Sequence, residues 1–209
     1  MSSSGSAGGG AARSVPDLHP TENRGLRELY VRARDVERHH GRLAERLGAE
    51  DAATALRGSA AAARRLVADL EALTPSYGLY LAPAAAGLGT MVAGTRGGVL
   101  DRFLERGQAV RVAATDLDAV VLLLGYLTRT AERRGDERMA GLCTDWRHEL
   151  TGLSAGVHDA AIAMGDDPDR SIEPLDDSMA GRAGQRAAYT IGAIGEWVDS
   201  RLPGRGSGR

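Results

Sequence analysis

Lysine is absent from the chain, and all 26 basic residues are arginine. Arginine presents a planar, permanently charged group that binds carboxylates and phosphates, so phosphate recognition is one interpretation. The other is the codon bias of a GC-rich bacterial genome, which also explains the many alanines and glycines. We favour codon bias, because 28 acidic residues bring the net charge to −2 and leave no basic field. Nucleic-acid binding is therefore not favoured.

Cysteine occurs once, at Cys143, which excludes an intrachain disulfide. Its position within an apolar helical pattern predicts a buried, unreactive thiol. No run approaches the roughly 18 to 20 apolar residues that span a bilayer. Residues 1–14 also lack the apolar segment of a secretory signal. We therefore expect a cytoplasmic protein with no membrane span.

Aromatic residues are scarce at 4%, whereas hydrophobic residues overall make up 43%. Alanine and leucine must then build most of the core, which favours close-packed helices over a β-sandwich or barrel. The sequence predicts an all-α fold. Apolar residues at three- and four-residue spacing predict helices at 25–47, 52–74, 99–134, 136–164 and 182–202.

The predicted helices group into two hairpins, one turning at Gly48 and one at Gly135. Thr21 or Asn23 is the expected cap of the first helix. The run 119–124 is apolar on all sides, which predicts a central position for the third helix. The predicted organisation is a disordered Gly/Ser/Ala-rich tail at 1–22, a four-helix bundle at 23–165, an acidic loop at 166–181, a C-terminal helix at 182–203 and a frayed tail at 204–209.

A long connection between two helical hairpins is typical of ferritin-like four-helix bundles. The segments LRELYVRARDVERHHGRLAERL (Leu26 to Leu47) and YLTRTAERRGDERMAGL (Tyr126 to Leu142) resemble the first and third helices of the ferritin-like stress-response family of bacteria, a domain of unknown function. Metal-bearing members need inward Glu and Glu-x-x-His, whose i and i+3 side chains reach one metal pair. The matching inward positions here are apolar: Ala33, Ala62 or Ala63, Leu66, Leu117 and Val120. The resemblance thus implies that the metal ligands have been lost and that no cofactor is held.

Two short motifs nevertheless carry metal-ligand types. Glu37 and His40 form Glu-x-x-His, and Asp145 and His148 form Asp-x-x-His. The helical pattern places His40 in the apolar stripe, Glu37 and Asp145 at the flanks, and His148 outward. We therefore favour a buried His40, hydrogen-bonded to a neighbouring helix, over a metal ligand.

Further candidates give no complete motif. Asp116 and Asp118 flank Leu117 and should project to opposite sides, as rim charges that meet arginine. We find no complete catalytic, metal or nucleotide motif, so no catalytic residue is assigned and an enzyme is the less favoured class.

Three function classes stay open. The favoured one is a non-catalytic interaction or scaffold protein with a possible protein partner. The alternatives are a ferritin-like di-metal protein with a displaced site and a bundle that binds a small apolar ligand or lipid. The predicted C-terminal helix carries an apolar stripe that must cover its own bundle or meet a second chain: Ile191, Ile194, Trp197 and Val198. We expect a homodimer with Trp197 near its centre, because tryptophan is a preferred interface anchor.

Overall fold

The computed structural model describes residues 18–79 and 104–175, and the structural statements below concern that part of the chain. It forms four long helices: α1 (Pro20–Leu47), α2 (Asp51–Leu73), α3 (Arg106–Arg134) and α4 (Glu137–Ala163). The described residues contain no β-strand, which confirms the predicted all-α class.

Three short elements complete the described chain. They are two 3-10 turns, Thr74–Tyr77 and Met164–Asp166, and a one-turn helix, α5 (Pro168–Ser171). An isolated β-bridge pairs Glu105 with Pro174. The predicted acidic loop at 166–181 is therefore folded, as far as residue 175, against the start of α3.

The first helix begins earlier than expected, and neither Thr21 nor Asn23 is its cap. The cap is His19, whose Nδ1 accepts the Thr21 N–H (3.2 Å), while the Glu22 carboxylate accepts the His19 N–H (3.0 Å). Pro20 occupies the first helical position, where a missing N–H costs nothing. Histidine is not among the usual capping residues, which is why the sequence pattern missed it.

The third helix begins later than predicted within the described chain, because Leu104 and Glu105 are not helical. Residues 99–103 lie outside the described part. The two predicted turns are confirmed: Gly48 and Gly135 have φ of 70° and 74°, a backbone conformation that strongly favours glycine.

Contacts between the hairpins fix the helix directions. α1 lies antiparallel to α3, since Glu22 contacts Arg134 and His40 contacts Ala113. α2 lies antiparallel to α4, since an added Cβ at Gly58 would touch Leu153, and Asp69 accepts a hydrogen bond from Trp146.

It follows that α2 and α3 are parallel, so residues 79 and 104 lie at opposite ends of the bundle. α3 alone is about 43 Å long at 1.5 Å per residue. We call the end that holds the start of α1 and the last residues of α3 the Arg134 end. The opposite end, where α3 begins, is the Arg106 end.

One apolar core joins all four helices, and leucine and alanine dominate it. The predicted inward positions are all at most 1% exposed: Ala33, Ala62, Ala63, Leu66, Leu117 and Val120. The described helices alone do not make α3 central, because Leu122 is 76% exposed. Among the described elements α3 packs mainly on α1 and α4, which leaves its outer face uncovered.

Candidate functional site

The structure does not bring the four candidate metal ligands together. His40 is fully buried among α1, α2 and α3, whereas Asp145 and His148 lie exposed on α4. Glu37 is half-buried and lies 3.7 Å from Arg64 of α2 in an ion pair. Within residues 18–79 and 104–175, no group of three or more His, Cys, Asp or Glu side chains is arranged to hold a metal ion.

His40 is instead the centre of a buried polar cluster. Its Nδ1 lies 2.6 Å from the Ser59 hydroxyl of α2, and its Nε2 lies 3.1 Å from the Ala113 carbonyl of α3. His40 and Ser59 both have no exposed surface. The prediction that His40 is buried and hydrogen-bonded to a neighbouring helix is therefore confirmed.

The partners of His40 define its protonation state. The Ala113 carbonyl can only accept, so Nε2 carries a proton and donates it. In the neutral ring Nδ1 must then accept the hydroxyl proton of Ser59. Burial and, to a smaller extent, the neighbouring His39 lower the His40 pKa to about 4, against the opposing effects of Asp116 and the Ala113 carbonyl. The ring is therefore neutral at physiological pH.

This Ser59–His40 pair resembles part of a nucleophilic dyad, but its placement does not suit catalysis. A serine nucleophile must meet a substrate, whereas the Ser59 side chain is enclosed by the core. The Asp116 carboxylate of α3 lies 3.2 Å from the Nδ1 of His39 instead of binding His40. The cluster therefore joins three helices and leaves no reactive atom accessible.

A second polar cluster connects α3 and α4. The Asp118 carboxylate accepts the Ser154 hydroxyl (2.6 Å) and lies 2.9 Å from Nε2 of His158. Asp116 and Asp118 thus project to opposite sides as predicted, but each meets histidine, and neither is seen with the arginine that we expected. Asp118 stands between Ser154 and His158, so the histidine does not activate the serine.

Cys143 is completely buried in α4, as predicted. Burial raises the pKa of its thiol to about 12, with a smaller contribution from the negative charge of Asp136. The thiolate is the reactive form, so this cysteine does not act as a nucleophile at neutral pH.

Charged side chains fasten the two hairpins together at the Arg134 end. Arg134 Nε lies 3.0 and 3.1 Å from the two carboxylate oxygens of Glu22, which is only 1% exposed. Arg134 also donates to Asp136, which accepts the Tyr77 hydroxyl as well (2.7 Å each). Burial opposes ionisation of Asp136, but the hydrogen bonds from Tyr77, the Met139 N–H and Arg134 outweigh it and lower the Asp136 pKa.

The Arg106 end has a corresponding cluster around Glu50. Its carboxylate accepts hydrogen bonds from Arg106 and from Arg170, the latter at 2.9 Å. Burial of Glu50 opposes ionisation, yet the hydrogen bonds from Arg170 and Arg106 lower its pKa overall. Both arginines are thus used in holding α5 and the start of α3 to the α1–α2 turn, and do not form an open anion site.

Four large apolar side chains are exposed in the described part of the chain. Two lie one turn apart on α3, and the others lie near the Arg106 end: Leu122 (76%), Tyr126 (48%), Ile162 (75%) and Ile172 (48%). The predicted interface residues Ile191, Ile194, Trp197 and Val198 lie outside the described residues.

Comparisons of the chain with protein-family models, with curated proteins and with solved structures find no match. None of the helices in the described ranges combines the length and apolar character needed to cross a membrane.

Sequence reasoning missed the partners of the polar clusters. Ser59, Ser154 and His158 carry no motif of their own, because their partners lie on other helices or a turn away. A weak signal existed for Ser59: it interrupts the Ala-rich apolar face of α2, and a polar residue there needs a buried partner.

Proposed function

We propose that the protein is a non-catalytic interaction or scaffold protein built on a helical bundle. The observation that carries this proposal is the hydrogen bonding of the buried polar side chains in the described part of the chain. Seven polar side chains are buried there, and each has a hydrogen-bond partner within the protein: Glu22, His39, His40, Ser59, Thr74, Thr128 and Ser154.

A catalytic or small-ligand site needs polar groups that converge on a space where another molecule can sit. In this protein Glu22, His39, His40, Ser59 and Ser154 bond across to other helices, and Thr74 and Thr128 bond to backbone carbonyls one turn back. Among the described residues, Arg106 Nε is a buried side-chain atom without a hydrogen-bond partner. Large apolar side chains, in contrast, are exposed on the outside of the described bundle: Leu122, Tyr126 and Ile162. Exposed apolar side chains of this size are typical of surfaces that meet other protein segments.

A relationship to the ferritin-like stress-response family is part of this proposal. It is supported by the parallel α2 and α3, which suit two hairpins joined by a long crossover. The apolar residues at the matching ligand positions, such as Ala33 and Leu117, favour a member that has no dimetal site. A cytoplasmic role in a bacterial stress response is the corresponding expectation.

A homodimer with Trp197 near its centre also remains a prediction from the sequence. The stripe that contains Trp197 packs either on a second chain or on its own bundle. Sedimentation of the wild type and of Trp197→Ala at tens of micromolar, where ordinary dimers are assembled, separates these two cases.

The proposed function is tested by the mass, the metal content and the assembly of the full chain. We expect purified protein without stoichiometric iron, manganese or zinc and without a retained small molecule in native mass spectrometry. Bound metal would favour the di-metal alternative, and a constant added mass would favour the apolar-ligand alternative. Either result contradicts the proposal.

The positive result concerns assembly. In clarified extract of its own host, we expect the protein to elute from gel filtration larger than the purified protein. Ile162→Ser, on the exposed surface of α4, should reduce this assembled form, whereas Thr144→Ser on an exposed position of the same helix should not. Both variants should keep the wild-type Tm. An unchanged monomer in all samples contradicts an interaction role.

A further inference from the structure

The Ser59 hydroxyl has two hydrogen-bond partners but only one proton to donate. Its oxygen lies 2.6 Å from Nδ1 of His40 and 3.0 Å from the carbonyl oxygen of Leu56, one turn back on α2. A ring nitrogen without a proton accepts from a hydroxyl, whereas an N–H donates to it, and the Leu56 carbonyl can only accept. The direction of the Ser59 hydroxyl therefore depends on the protonation state of His40.

In the neutral ring the Ser59 hydroxyl must donate to His40. Nε2 keeps its proton, because it faces the Ala113 carbonyl at 3.1 Å, and Nδ1 is left as the acceptor. The hydroxyl proton then lies between Ser59 Oγ and Nδ1, and it is not donated to Leu56. The Leu56 carbonyl still accepts a backbone N–H within α2.

In the charged ring the same groups form a different and complete set of hydrogen bonds. Both ring nitrogens carry protons, so Nε2–H donates to the Ala113 carbonyl and Nδ1–H donates to the Ser59 oxygen. The Ser59 proton is then donated to the Leu56 carbonyl, which already lies at hydrogen-bond distance. The change requires only a rotation about the Cβ–Oγ bond of Ser59, and it leaves both ring nitrogens paired.

The charged groups around His40 act on it in both directions. Burial and, to a smaller extent, His39 of α1 oppose the charged ring and lower the His40 pKa to about 4, whereas the negative charge of Asp116 of α3 favours the charged ring. α1 also carries Glu37 one turn before His40, in its ion pair with Arg64 of α2. The main cost of charging the ring is therefore desolvation, and not the loss of a hydrogen bond.

We propose that the Ser59 hydroxyl reverses its direction and so lets the folded bundle take up a proton at His40. The reversal occurs where α1, α2 and α3 meet, so it gives the junction of the two hairpins a second, acid-induced set of hydrogen bonds. The hairpins stay joined in this state through Nε2 of His40 and the Ala113 carbonyl. Acid therefore changes the junction before it unfolds the bundle.

Nuclear magnetic resonance of the isotope-labelled full chain between pH 7.5 and 4 tests the proposal. The nitrogen resonance of His40 Nδ1 reports its protonation, and the carbonyl carbon resonance of Leu56 shifts when that carbonyl accepts the Ser59 hydroxyl. We expect the two resonances to move together within the spectrum of the folded protein, with a midpoint near pH 4. The Leu70 carbonyl, which accepts the Thr74 hydroxyl at 2.7 Å, is the control and should not follow His40.

Ser59→Ala is the test variant, and Ser154→Ala, which removes a buried hydroxyl from α4, is its matched control. Without the Ser59 hydroxyl, Nδ1–H of the charged ring loses its acceptor, and a hydrogen bond to a charged group is about twice as strong as one between neutral groups. We expect the protonated fraction of His40 at pH 4.5 to be roughly fourfold lower in Ser59→Ala than in the wild type. The Leu56 carbonyl should no longer follow His40 in this variant, while Ser154→Ala should titrate like the wild type.

Three results would overturn the proposal. The Leu56 carbonyl could stay unchanged while Nδ1 of the folded protein takes up its proton, which would show that the hydroxyl does not reverse. His40 could become protonated only as the folded signals disappear, which would assign the proton to the unfolded chain. The protonated fractions of Ser59→Ala and the wild type could be equal. If Ser59→Ala fails to fold at neutral pH, the two wild-type resonances decide alone, and none of these outcomes bears on the scaffold function.

Discussion

His40 makes the stability of the bundle sensitive to acid, and its replacement by leucine should remove that sensitivity. In the folded protein the ring is buried and its pKa is about 4, below the usual histidine pKa of 6.5. The unfolded chain therefore takes up a proton at a higher pH than the folded chain. The stability that depends on a neutral His40 is fully present above about pH 6.5, and it is lost as the pH falls from 6.5 towards 4.

The magnitude follows from the difference in pKa. A pKa lower by about 2.5 units corresponds to about 3 kcal/mol, at 1.36 kcal/mol per unit. At neutral pH the cost of His40→Leu should be small, within about 1.5 kcal/mol, because no partner is left unpaired. The Ser59 hydroxyl can donate to the Leu56 carbonyl (3.0 Å), and the Ala113 carbonyl keeps its place in the hydrogen-bond ladder of α3.

Urea unfolding followed by circular dichroism at pH 7.5, 6, 5 and 4.5 measures the effect. The free energy of unfolding of the wild type should fall more steeply with acid than that of His40→Leu, while His148→Gln, an exposed control, should follow the wild type. Groups other than the substituted residue are common to the compared proteins and cancel in the comparison, apart from any change in their coupling to His40. Parallel curves for wild type and His40→Leu would refute the reasoning. A loss of several kcal/mol at pH 7.5 would instead show that Ser59 or the Ala113 carbonyl is left unpaired in the core.

Three further outcomes are expected from urea unfolding at neutral pH. Arg134→Gln should lose about 3 kcal/mol because it leaves the buried Glu22 carboxylate without its counter-ion, and the added Glu22→Gln change should restore part of the loss; equal losses in both proteins would contradict this. Gly107→Ala should lose about 1 kcal/mol, since its Cβ would overlap Ser171 Oγ, which must rotate away, and would lie 3.3 Å from Ser171 Cβ, which must shift slightly; an unchanged Tm would argue against that close contact. At Gly141 in α4 an added Cβ would meet nothing within 4 Å, so Gly141→Ala should raise the free energy of unfolding by about 0.5–1 kcal/mol through helix propensity; a decrease would contradict this.

The helices could be predicted because their apolar spacing is a local property of the sequence. The inward positions Ala33, Leu66 and Leu117 follow directly from that period and are buried as predicted. The cap at His19 could not be predicted in this way, because its ring nitrogen acts only through the geometry of Pro20 and Glu22 that follow it.

The polar clusters depended on contacts that no local pattern records. The pattern placed His40 on the inner face, but its partners Ser59 and Ala113 are 19 and 73 positions away. The position of α3 in the bundle also determines which side chains of the apolar run at 119–124 are buried. Apolar residues on all sides indicate burial on all sides only when a neighbour exists for each side, and Leu122 faces none among the described helices.

The arrangement of two hairpins has a consequence for how the chain folds. Within each hairpin the contacting helices are joined by a short turn, whereas contacts between hairpins connect residues as distant as Glu22 and Arg134, 112 positions apart. Local contacts close at a lower cost in chain entropy, so we expect the hairpins to form first and their docking to limit the folding rate. His40 contacts α2 in its own hairpin and α3 in the other. Its protonation should therefore slow the step that joins the hairpins more than the step that forms them.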